Sequence, residues 1–520
     1  MLRQAFTRPL RELDKLLNGI TMYRLLLYGL GLLVAIAVAF AYGGVLSISG
    51  SGLLLSTGLL LAVCYGTNKL LAYVFGGFSN SESSLITALI LALILQPPRT
   101  TQQAIGIVVA GVVAMASKYL LAAYRKHLFN PAAFGALAVG LIGFRHASWW
   151  VGSPSMFIFV LVLGLLVVRK IRRFEMVLTF TVAALAMLLL VGALQHQDLT
   201  QVWHDGFLSW PLVFFGTIML TEPATTPPTR YYRNLYGLGV GLLFASQLHV
   251  VSIGTSPELC LIIGNIFAWL VSPKYQLRLR LKRVRQLTPQ VYDYAFKPVG
   301  GPGGGFTFEA GQYLQWTMPH HHVDGRGNRR TFTIASSPTE DEIHIGVKFY
   351  EPSSSFKRTL RGLKPGASIM AGQQAGDFTL PADRSKPLVF IAGGIGVTPF
   401  RSMLKYLADS GQQRQVTMLY LISSPEEIAY DEDLQAIGDK LKKFKRVQVL
   451  GPGAPSPGRD KWQGYTGLLT PEIVSQEVEK ATGCTFYISG PNAMVESYRV
   501  MLRGMGVPRK QIKTDYFAGY

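Results

Sequence analysis

The first half of the chain consists of long apolar runs separated by short polar loops. Residues 25–42, 104–117 and 176–194, for example, contain no charged residue. A helix needs about 20 consecutive apolar residues to cross a bilayer, and a soluble core does not need such runs repeatedly. The pattern predicts a polytopic α-helical membrane domain over residues 23–273, with about ten segments. These segments begin near Arg24, Leu46, Ser84, Ala104, Asn130, Trp150, Met176, Trp210, Asn234 and Pro257.

Three of the apolar segments are too short to span the membrane: residues 84–96, 130–144 and 210–221. Such segments are typical of half-helices whose broken ends line an internal site. SLITALILALILQPPRTTQQ also resembles WPLVFFGTIMLTEPATTPPTR, and the two copies face opposite sides on our span count. We therefore predict an inverted repeat, although Pro and Thr clusters can also simply end short helices.

Lys and Arg residues cluster in alternate loops of this half. They occur in residues 1–22, 118–126, 169–173 and 230–233 and from Lys274 onward, whereas Arg99 and Arg145 are exceptions. This asymmetry predicts an integral protein of the inner or plasma membrane, with both termini and the C-terminal half in the cytoplasm. Residues 1–22 lack the apolar core of a signal peptide, so we expect an amphipathic segment at the cytoplasmic interface.

The formal net charge of +20 follows largely from these flanking clusters, which meet anionic lipid headgroups. The lipid bilayer is therefore the expected partner, and nucleic acid is not. Cys64, Cys260 and Cys484 lie far apart and form no metal-binding spacing. A turn-like segment follows the histidines at 320–322, so no metal site is predicted.

The second half of the chain changes to a mixed polar and apolar pattern. Short alternating strands over residues 275–382 predict a small antiparallel β-barrel. From residue 386 to 520 strands alternate with helices, which indicates an α/β domain with a parallel sheet. The predicted fold is therefore multidomain, with a membrane domain, a barrel and a parallel-sheet domain.

A glycine-rich turn lies at the start of the parallel-sheet domain. In AGGIGVTPF, Gly393, Gly394 and Gly396 follow a strand and open a helix. Backbone amides and the N-terminus of a helix can together bind a nucleotide phosphate. A glycine trio alone is a weak signal, so the neighbouring motifs decide its meaning.

Four motifs, FEAGQYL, RTFTIASSP, AGGIGVTPF and ISGPNAMV, occur in order over residues 275–520. With them, this half resembles the ferredoxin–NADP reductase superfamily. The resemblance implies FAD in the barrel and NADH or NADPH in the α/β domain. By position, Arg330 pairs with the FAD pyrophosphate, Phe332 lies against the flavin and Thr333 lies near the reacting flavin nitrogen. A guanidinium suits a diphosphate, and an aromatic face suits the flavin plane.

The same resemblance implies further site residues. The additional candidates for binding FAD are Ser336, Ser337, Val347, Ser355 and Lys357, although serine runs are also ordinary turns. The candidates on the nicotinamide side are Thr398, Pro399, Gly490, Pro491 and Met494, with Ser489 in place of the family's usual cysteine. In the C-terminal DYFAGY, Phe517 or Tyr520 matches the aromatic that shields the flavin. Glu426 and Glu427 would repel a 2′-phosphate, which favours NADH over NADPH.

Residues 20–275 resemble the D subunit of Rnf complexes and the B subunit of sodium-pumping NADH:quinone reductases. The motifs are SESSLITALILAL, KHLFNPAAFG, WWVGSP and TEPATTPPTR. Those relatives bind flavins, one of them covalently through a threonine loop that this chain lacks. The resemblance therefore favours a non-covalent FMN or riboflavin at TEPATTPPT, held by Glu222, Thr225, Thr226 or Thr229.

Together these motifs predict a membrane flavoprotein oxidoreductase. Electrons would pass from cytoplasmic NAD(P)H through FAD and across the membrane to an extracytoplasmic partner that carries a flavin. A hydrocarbon core of about 30 Å requires an intermediate carrier. The alternatives are an NAD(P)H:quinone reductase and an ion or solute transporter with a regulatory reductase domain.

Overall fold

The computed structural model describes residues 12–14, 16–17, 19–75, 81–123, 126–144, 147–208, 211–245, 249–250, 253–254, 256–273, 277–299, 306–320, 323–324, 327–452 and 462–517. The chain divides into two units, Met1–Tyr275 and Gln276–Tyr520. This division falls beside Pro273, where the composition changes. Most of the predicted amphipathic N-terminus lies outside the described residues, as does Tyr520.

The first unit is helical. Its helices are α1 (Met22–Tyr42), α2 (Gly50–Val74), α3 (Ser81–Ile94), α4 (Thr101–Leu120), α5 (Pro131–Leu141), α6 (Phe157–Ile171), α7 (Phe174–Leu194), α8 (Leu199–Leu208), α9 (Leu212–Phe214), α10 (Arg230–Ala245) and α11 (Pro257–Val271). A π-helix, Phe215–Met219, continues α9. Two short hairpins pair β1 (Ala122–Ala123) with β2 (Lys126–His127) and β3 (His249–Val250) with β4 (Ile253–Gly254).

Within the described residues, five helices of 18 residues or more are apolar enough to cross a membrane: α1, α2, α4, α7 and the run Pro154–Ile171 that contains α6. Helices α3, α5 and α11 are shorter apolar helices. Every residue from Ile86 to Ile94 of α3 is buried, whereas Leu178 of α7 is 64% exposed. An apolar helix with no exposed face belongs inside a bundle, so α3 is enclosed by its neighbours.

The broken ends of the short helices have hydrogen-bond partners. The amides of Ser148 and Trp149 donate to the carbonyl oxygen of Ile94 at 3.0 and 2.9 Å, beyond the end of α3. Helices α5 and α11 both begin with a proline behind a polar cap, Asn130 or Ser256. Short apolar helices with capped ends therefore occur, and their role as half-helices that end inside the membrane stays a prediction. The inverted repeat stays a prediction.

Helix α8 lies between the apolar segments that begin near Met176 and Trp210, in a stretch for which we predicted no helix. The Trp203 and Phe207 rings stack on one face of it, with centroids 6.2 Å apart. Phe207 also contacts Phe157 of α6, at 5.6 Å. The helix is short and its pattern of apolar residues is weak, so these aromatic contacts stabilise it.

The second unit begins with a curled antiparallel sheet. Its strands are β5 (Leu277–Thr288), β6 (Val291–Pro298), β7 (Tyr313–Thr317), β8 (Arg329–Thr333), β9 (Ile343–Lys348) and β10 (Ser368–Ala375), in the order β8-β7-β10-β5-β6-β9. The amide of Ala335 donates to the carbonyl of His344 at 2.8 Å and joins the two edge strands at one end. The expected strands are present. Strand β10 was not predicted, because its Gly and Gln residues have low strand propensity and packing between β5 and β7 stabilises it.

A parallel sheet follows, with strands β11 (Leu388–Gly393), β12 (Val416–Ile422), β13 (Phe444–Leu450), β14 (Tyr465–Thr466), β15 (Thr485–Pro491) and β16 (Ile512–Phe517). Its order is β14-β13-β12-β11-β15-β16. The helices of this unit are α12 (Ser355–Arg361), α13 (Thr398–Asp409), α14 (Asp431–Lys440), α15 (Pro471–Glu477) and α16 (Asn492–Gly504). The strand order reverses between β11 and β15, and open α/β sheets bind ligands at such a switch point.

A buried ion network links the barrel to the parallel-sheet domain. Arg401 of α13 donates to Glu340 at 2.9 Å and to Asp433 of α14 at 3.0 Å. Arg285 of β5 also donates to Asp433. Burial lowers the pKa of Arg401, but the two carboxylates more than offset this and raise it overall. The guanidinium of Arg401 therefore stays charged at the interface between the barrel and the parallel-sheet domain.

We expect Arg401→Met to lower the free energy of unfolding of the second unit by about 1–3 kcal/mol, because it leaves the half-buried carboxylates of Glu340 and Asp433 without this cation. Pulse proteolysis of the purified full chain in urea measures the change. Arg499→Met is the matched control, since Arg499 is 46% exposed and its pair with Glu496 contributes at most about 1 kcal/mol. An equal loss in both variants would contradict the assigned role of Arg401.

Candidate functional site

Two glycine-containing turns meet at the carboxyl ends of β11 and β15. A Cβ atom on Gly396 would lie 2.4 Å from the carbonyl oxygen of Ser489. A Cβ atom on Gly393 would lie 2.3 Å from the sulfur of Met494 and 3.2 Å from a ring carbon of Pro491. The backbone of Ser489 thus excludes a side chain at Gly396, whereas one at Gly393 would require Met494 to move. The structure therefore brings the predicted AGGIG and SGP motifs into direct contact.

The turn after β11 leads directly into α13. Gly394 has a φ of +51° and has open space where a side chain would be. Thr398 begins α13, its hydroxyl donates to the carbonyl of Ile395 at 3.2 Å, and Pro399 follows in the first turn. The amide of Thr398 donates to the carbonyl of Ile395 and Pro399 has no amide, so it is the glycine turn itself and the crevice at the switch point that suit the phosphates of a dinucleotide.

The end of β15 presents a buried hydroxyl beside this turn. Ser489 is fully buried, and its hydroxyl oxygen has no hydrogen-bond partner among the described residues. Gly490 and Pro491 follow it, and Pro491 pairs with Phe517 in β16. The C-terminal strand therefore ends next to the glycine turns. The backbone of Phe517 is placed there, whereas the predicted Tyr520 lies outside the described residues.

The barrel contributes a cation and aromatic rings. Arg330 and Thr333 of β8 are buried. The guanidinium of Arg330 lies 5.3 Å from the ring centroid of Phe356 on α12, and Phe332 and Phe356 have centroids 6.0 Å apart. Arg330 donates to the carbonyls of Gly327 and Arg329, at 3.1 and 2.6 Å. A partly desolvated cation beside aromatic faces fits the pyrophosphate and ring of FAD.

Phe356 was not among the predicted residues. The surrounding sequence, SSSFKRTL, is typical of an ordinary helix and contains no motif that indicates a binding site. The structure shows that it joins α12 to β8, so it is a further candidate for the FAD site.

Several other predicted FAD residues already have partners within the protein. The hydroxyl of Ser355 accepts from the amide of Asp324 at 3.0 Å, and Lys357 donates to the carbonyl of Lys348 at 2.7 Å. Ser336 accepts from the amide of His344, and the hydroxyl of Ser337 hydrogen-bonds with that of Thr339. Val347 packs in the barrel core. Their contact with FAD stays a prediction.

The two halves of the site are adjacent within the second unit. A Cβ atom on Gly346 of β9 would lie 2.8 Å from the methyl carbon of Thr398 and 2.7 Å from the hydroxyl of Tyr430. Ser402 of α13 donates to the carbonyl of Ser336 at 2.6 Å. The barrel therefore packs against the beginning of α13, where the glycine turn ends.

A second buried network, also not predicted, supports this contact. Asp293 of β6 accepts from the hydroxyl of Tyr430 at 2.7 Å and lies 2.8 Å from Nδ1 of His344. Burial and the nearby Asp293 carboxylate raise the pKa of Tyr430 well above its usual range. Tyr430 therefore stays a hydrogen-bond donor across the interface.

In the first unit, a polar cluster surrounds the TEPATTPPT segment. Thr225 donates to the carboxylate of Glu222 at 3.3 Å, and Nε2 of His127 lies 3.7 Å from the same carboxylate. Arg173 donates to Thr226. Thr229 lies at the other end of the segment, where its carbonyl accepts from the amide of Arg233 at 2.9 Å.

Asn265 of α11 connects this segment to α5. Its side-chain oxygen accepts from the amide of Asn130 at 2.7 Å, and its nitrogen donates to the carbonyl of Thr225 at 3.4 Å and to the hydroxyl of Tyr236 at 3.3 Å. Asn265 was not among the predicted residues, although a single amide in an apolar helix is a recognisable signal.

The cavity beside this cluster is small. It is lined by His127, Thr225, Asn265 and Trp269 among others, and it has no room even for a water molecule. Pockets for small molecules usually measure about 300–1,000 Å³. The donors and acceptors suit a polar ring, but the cavity is too small for a flavin as it stands. The FMN or riboflavin site stays a prediction.

Comparisons with known proteins agree with the site of the second unit. Residues 390–499 match the family model of the oxidoreductase NAD-binding domain. Ferredoxin–NADP reductase B of Sorangium cellulosum (strain So ce56) is 32% identical over 244 residues, which cover 46% of this chain and 96% of that protein. The reductase component of propane 2-monooxygenase from Rhodococcus jostii (strain RHA1) is 27% identical over 247 residues, and the match covers 47% of this chain and 64% of the relative.

Two further similarities are more distant. The Na⁺-translocating NADH-quinone reductase of Neisseria meningitidis serogroup C has a component that is 29% identical over 203 residues, covering 36% of this chain and 49% of the relative. A solved flavohem-like FAD/NAD-binding domain of nitric oxide dioxygenase from Vibrio cholerae O1 biovar El Tor is 20% identical, covers 46% of this chain and 98% of its own, and has a TM-score of 0.41.

The sheet order, the packed glycine turns and the near-complete coverage of the Sorangium reductase agree with one another. Through its C-terminal unit, the chain belongs to the ferredoxin–NADP reductase family of NAD(P)H-dependent FAD oxidoreductases.

Proposed function

We propose that the chain is a membrane oxidoreductase that carries electrons from cytoplasmic NADH through FAD and across the bilayer to an extracytoplasmic, flavin-carrying partner. The observation that supports it is the presence, in one chain, of a ferredoxin-reductase unit and five helices long enough to span a membrane. The relative named as part of a Na⁺-translocating NADH-quinone reductase supports a link between NADH oxidation and a membrane.

Within the C-terminal unit, the geometry and the family resemblance together support the following roles. The turn from Gly393 to Gly396 and the start of α13 bind the phosphates of the dinucleotide. Arg330 neutralises the FAD pyrophosphate, while Phe332 and Thr333 line the flavin. When bound, FAD accepts two electrons from the dinucleotide and can release them singly.

The segment after β12 favours NADH. Glu426 is exposed, and hydrogen bonds from its own backbone amide and from Ser424 lower the pKa of its carboxyl. Glu427 pairs with Lys348 at 3.1 Å. An ionised carboxylate at this position repels the 2′-phosphate of NADPH, whereas it can accept a hydrogen bond from a ribose hydroxyl of NADH.

The membrane unit supplies the path outward. Its resemblance to the Rnf D and sodium-pumping reductase B subunits supports a role in electron transfer, and its basic loops support a cytoplasmic reductase unit. The polar cluster of Glu222, His127, Thr225 and Asn265 is the candidate for an intramembrane site. It carries few acidic groups for a dedicated cation path, which disfavours the transporter alternative.

Arg330→Met is expected to weaken FAD binding at least about tenfold, because a charge-assisted contact to a diphosphate contributes about 1.5–3 kcal/mol. Equilibrium dialysis with analysis of released flavin measures the loss. Arg503→Met, which removes an exposed cation on α16, is the control and should leave the flavin content unchanged. Full FAD occupancy with unchanged affinity in Arg330→Met would refute the assignment.

Glu426→Arg is expected to raise the ratio of kcat/KM for NADPH to that for NADH at least about tenfold, since a repelled phosphate becomes an attracted one. Steady-state assays with ferricyanide as acceptor measure both substrates. Glu432→Arg is the control. It introduces the same charge change at a side chain that is 93% exposed on the neighbouring helix. Equal shifts in the two variants would show that general surface charge, and not this position, sets the preference.

The transmembrane step is tested in proteoliposomes that contain the full chain and an enclosed, impermeant flavoprotein acceptor. NADH is added outside, so only chains with an outward-facing reductase unit respond. We expect the enclosed acceptor to be reduced without added quinone, and the Glu222→Gln and Thr229→Ala double variant to slow this step while leaving external ferricyanide reduction intact.

Two other outcomes are informative. Reduction of the enclosed acceptor only after quinone is added would support the quinone reductase alternative. NADH oxidation with external ferricyanide but no reduction inside, with or without quinone, would sink the proposed transmembrane path and leave the family assignment intact.

A further inference from the structure

The outer face of strand β5 carries a row of cations. Arg278, Arg280 and Lys282 are exposed, whereas Leu279 and Leu281 between them are buried. Because side chains alternate along a strand, Arg278 and Arg280 lie on one face, and Lys282 follows as an exposed residue at a β-bulge. Lys297 of β6 lies directly opposite Arg280 and is also exposed. We call Arg278, Arg280, Lys282 and Lys297 the basic stripe.

The fold does not use these charges. Like charges directly opposite on neighbouring strands destabilise a sheet. None of the four side chains has a hydrogen-bond or ion-pair partner in the part of the chain that the structure describes. Farther along the same strand, by contrast, Arg283 pairs with Glu342 at 3.2 Å. The basic stripe therefore destabilises the barrel sheet, and an anionic partner outside the unit would offset this repulsion.

No carboxylate interrupts the stripe at the next strand. Ser368 of β10 lies opposite Arg280, and Met370 lies opposite Arg278. Beyond Met370 come Thr317 of β7 and then Arg329 of β8, in the same register row. Toward β10, β7 and β8 this row of the sheet thus carries positive and neutral residues only, which suits a broad anionic surface better than a single ligand.

The stripe is also juxtamembrane in the sequence. Helix α11 ends at Val271 and β5 begins at Leu277, so only residues 272–276 separate them. Groups of four or more Lys and Arg residues directly after a membrane helix bind anionic lipid headgroups. This placement favours lipid over an acidic protein, which would not need the cations next to the membrane.

We propose that the basic stripe docks the reductase unit onto the anionic lipid headgroups of the bilayer. The inference rests on the membrane insertion contained in the proposed function, but not on the identity of the electron acceptor. Docking holds one barrel face against the headgroups.

The test uses the full chain in lipid nanodiscs. Cys64, Cys260 and Cys484 are buried, so Ser368→Cys introduces a single accessible thiol beside the stripe. A fluorophore on it reports energy transfer to a dye on the lipid headgroups. We expect efficient transfer in discs that contain phosphatidylglycerol and weak transfer in phosphatidylcholine alone. The transfer should be lost near 1 M salt, where the Debye length falls to about 3 Å.

The variant Arg278→Gln, Arg280→Gln, Lys282→Gln and Lys297→Gln removes the stripe. Each substitution is expected to lower the ratio of docked to undocked protein about fivefold. The matched control replaces four exposed cations of the parallel-sheet domain, Lys442, Lys443, Arg503 and Arg509, with Gln. The control has the same net charge and should dock like the parent chain. Oxidation of NADH by ferricyanide should be unchanged in both variants, which establishes that they fold.

Three results would overturn the proposal: equal transfer in the two lipids, equal loss in the stripe and control variants, or transfer that needs an added acidic protein. A chain that docks as expected but does not reduce an enclosed acceptor would refute the proposed electron path and leave the docking intact. Failure of the docking and failure of the function are therefore distinguishable.

Discussion

Close contact between the turns after β11 and β15 is the constraint on which the reductase unit depends. Gly396 leaves no room for a Cβ atom against the backbone of Ser489, and Gly393 lies against the side chain of Met494. Such packing forms the crevice at the point where the strand order reverses, beside the glycine turn that leads into α13. The barrel must pack against α13 and still leave this crevice open. Gly346 permits this approach, and the Arg401 and Tyr430 networks hold it.

A different constraint governs the membrane unit. Backbone groups that lack water must find partners inside the protein, so a helix that stops in the bilayer needs other segments to complete it. The amides of Ser148 and Trp149 serve the end of α3, and Asn130 and Ser256 cap α5 and α11. These contacts permit polar residues such as Glu222 and Thr225 at a break in an apolar bundle. Stability and a candidate site thus arise from the same interrupted helices.

Much of this organisation could be predicted from sequence because it depends on local rules. Apolar runs indicate membrane helices, and glycines in a turn mark places where a side chain cannot fit. Phe356, Asn265 and Arg401 could not be selected in this way, because each acquires its role from residues distant in the chain. Strand β10 and helix α8 were missed for a related reason, since tertiary packing overrides their weak intrinsic preference.

Asn265 limits which amino-acid substitutions the helical unit can accept. One carboxamide accepts from the amide of Asn130 and donates to the carbonyl of Thr225 and to the hydroxyl of Tyr236. Aspartate has the acceptors but lacks the donors, and leucine has neither. Glutamine has both but is longer by one methylene in a fully buried position. The chemistry of the position thus selects a single amino acid, and the two broken helices can change their sequences only in ways that keep that amide satisfied.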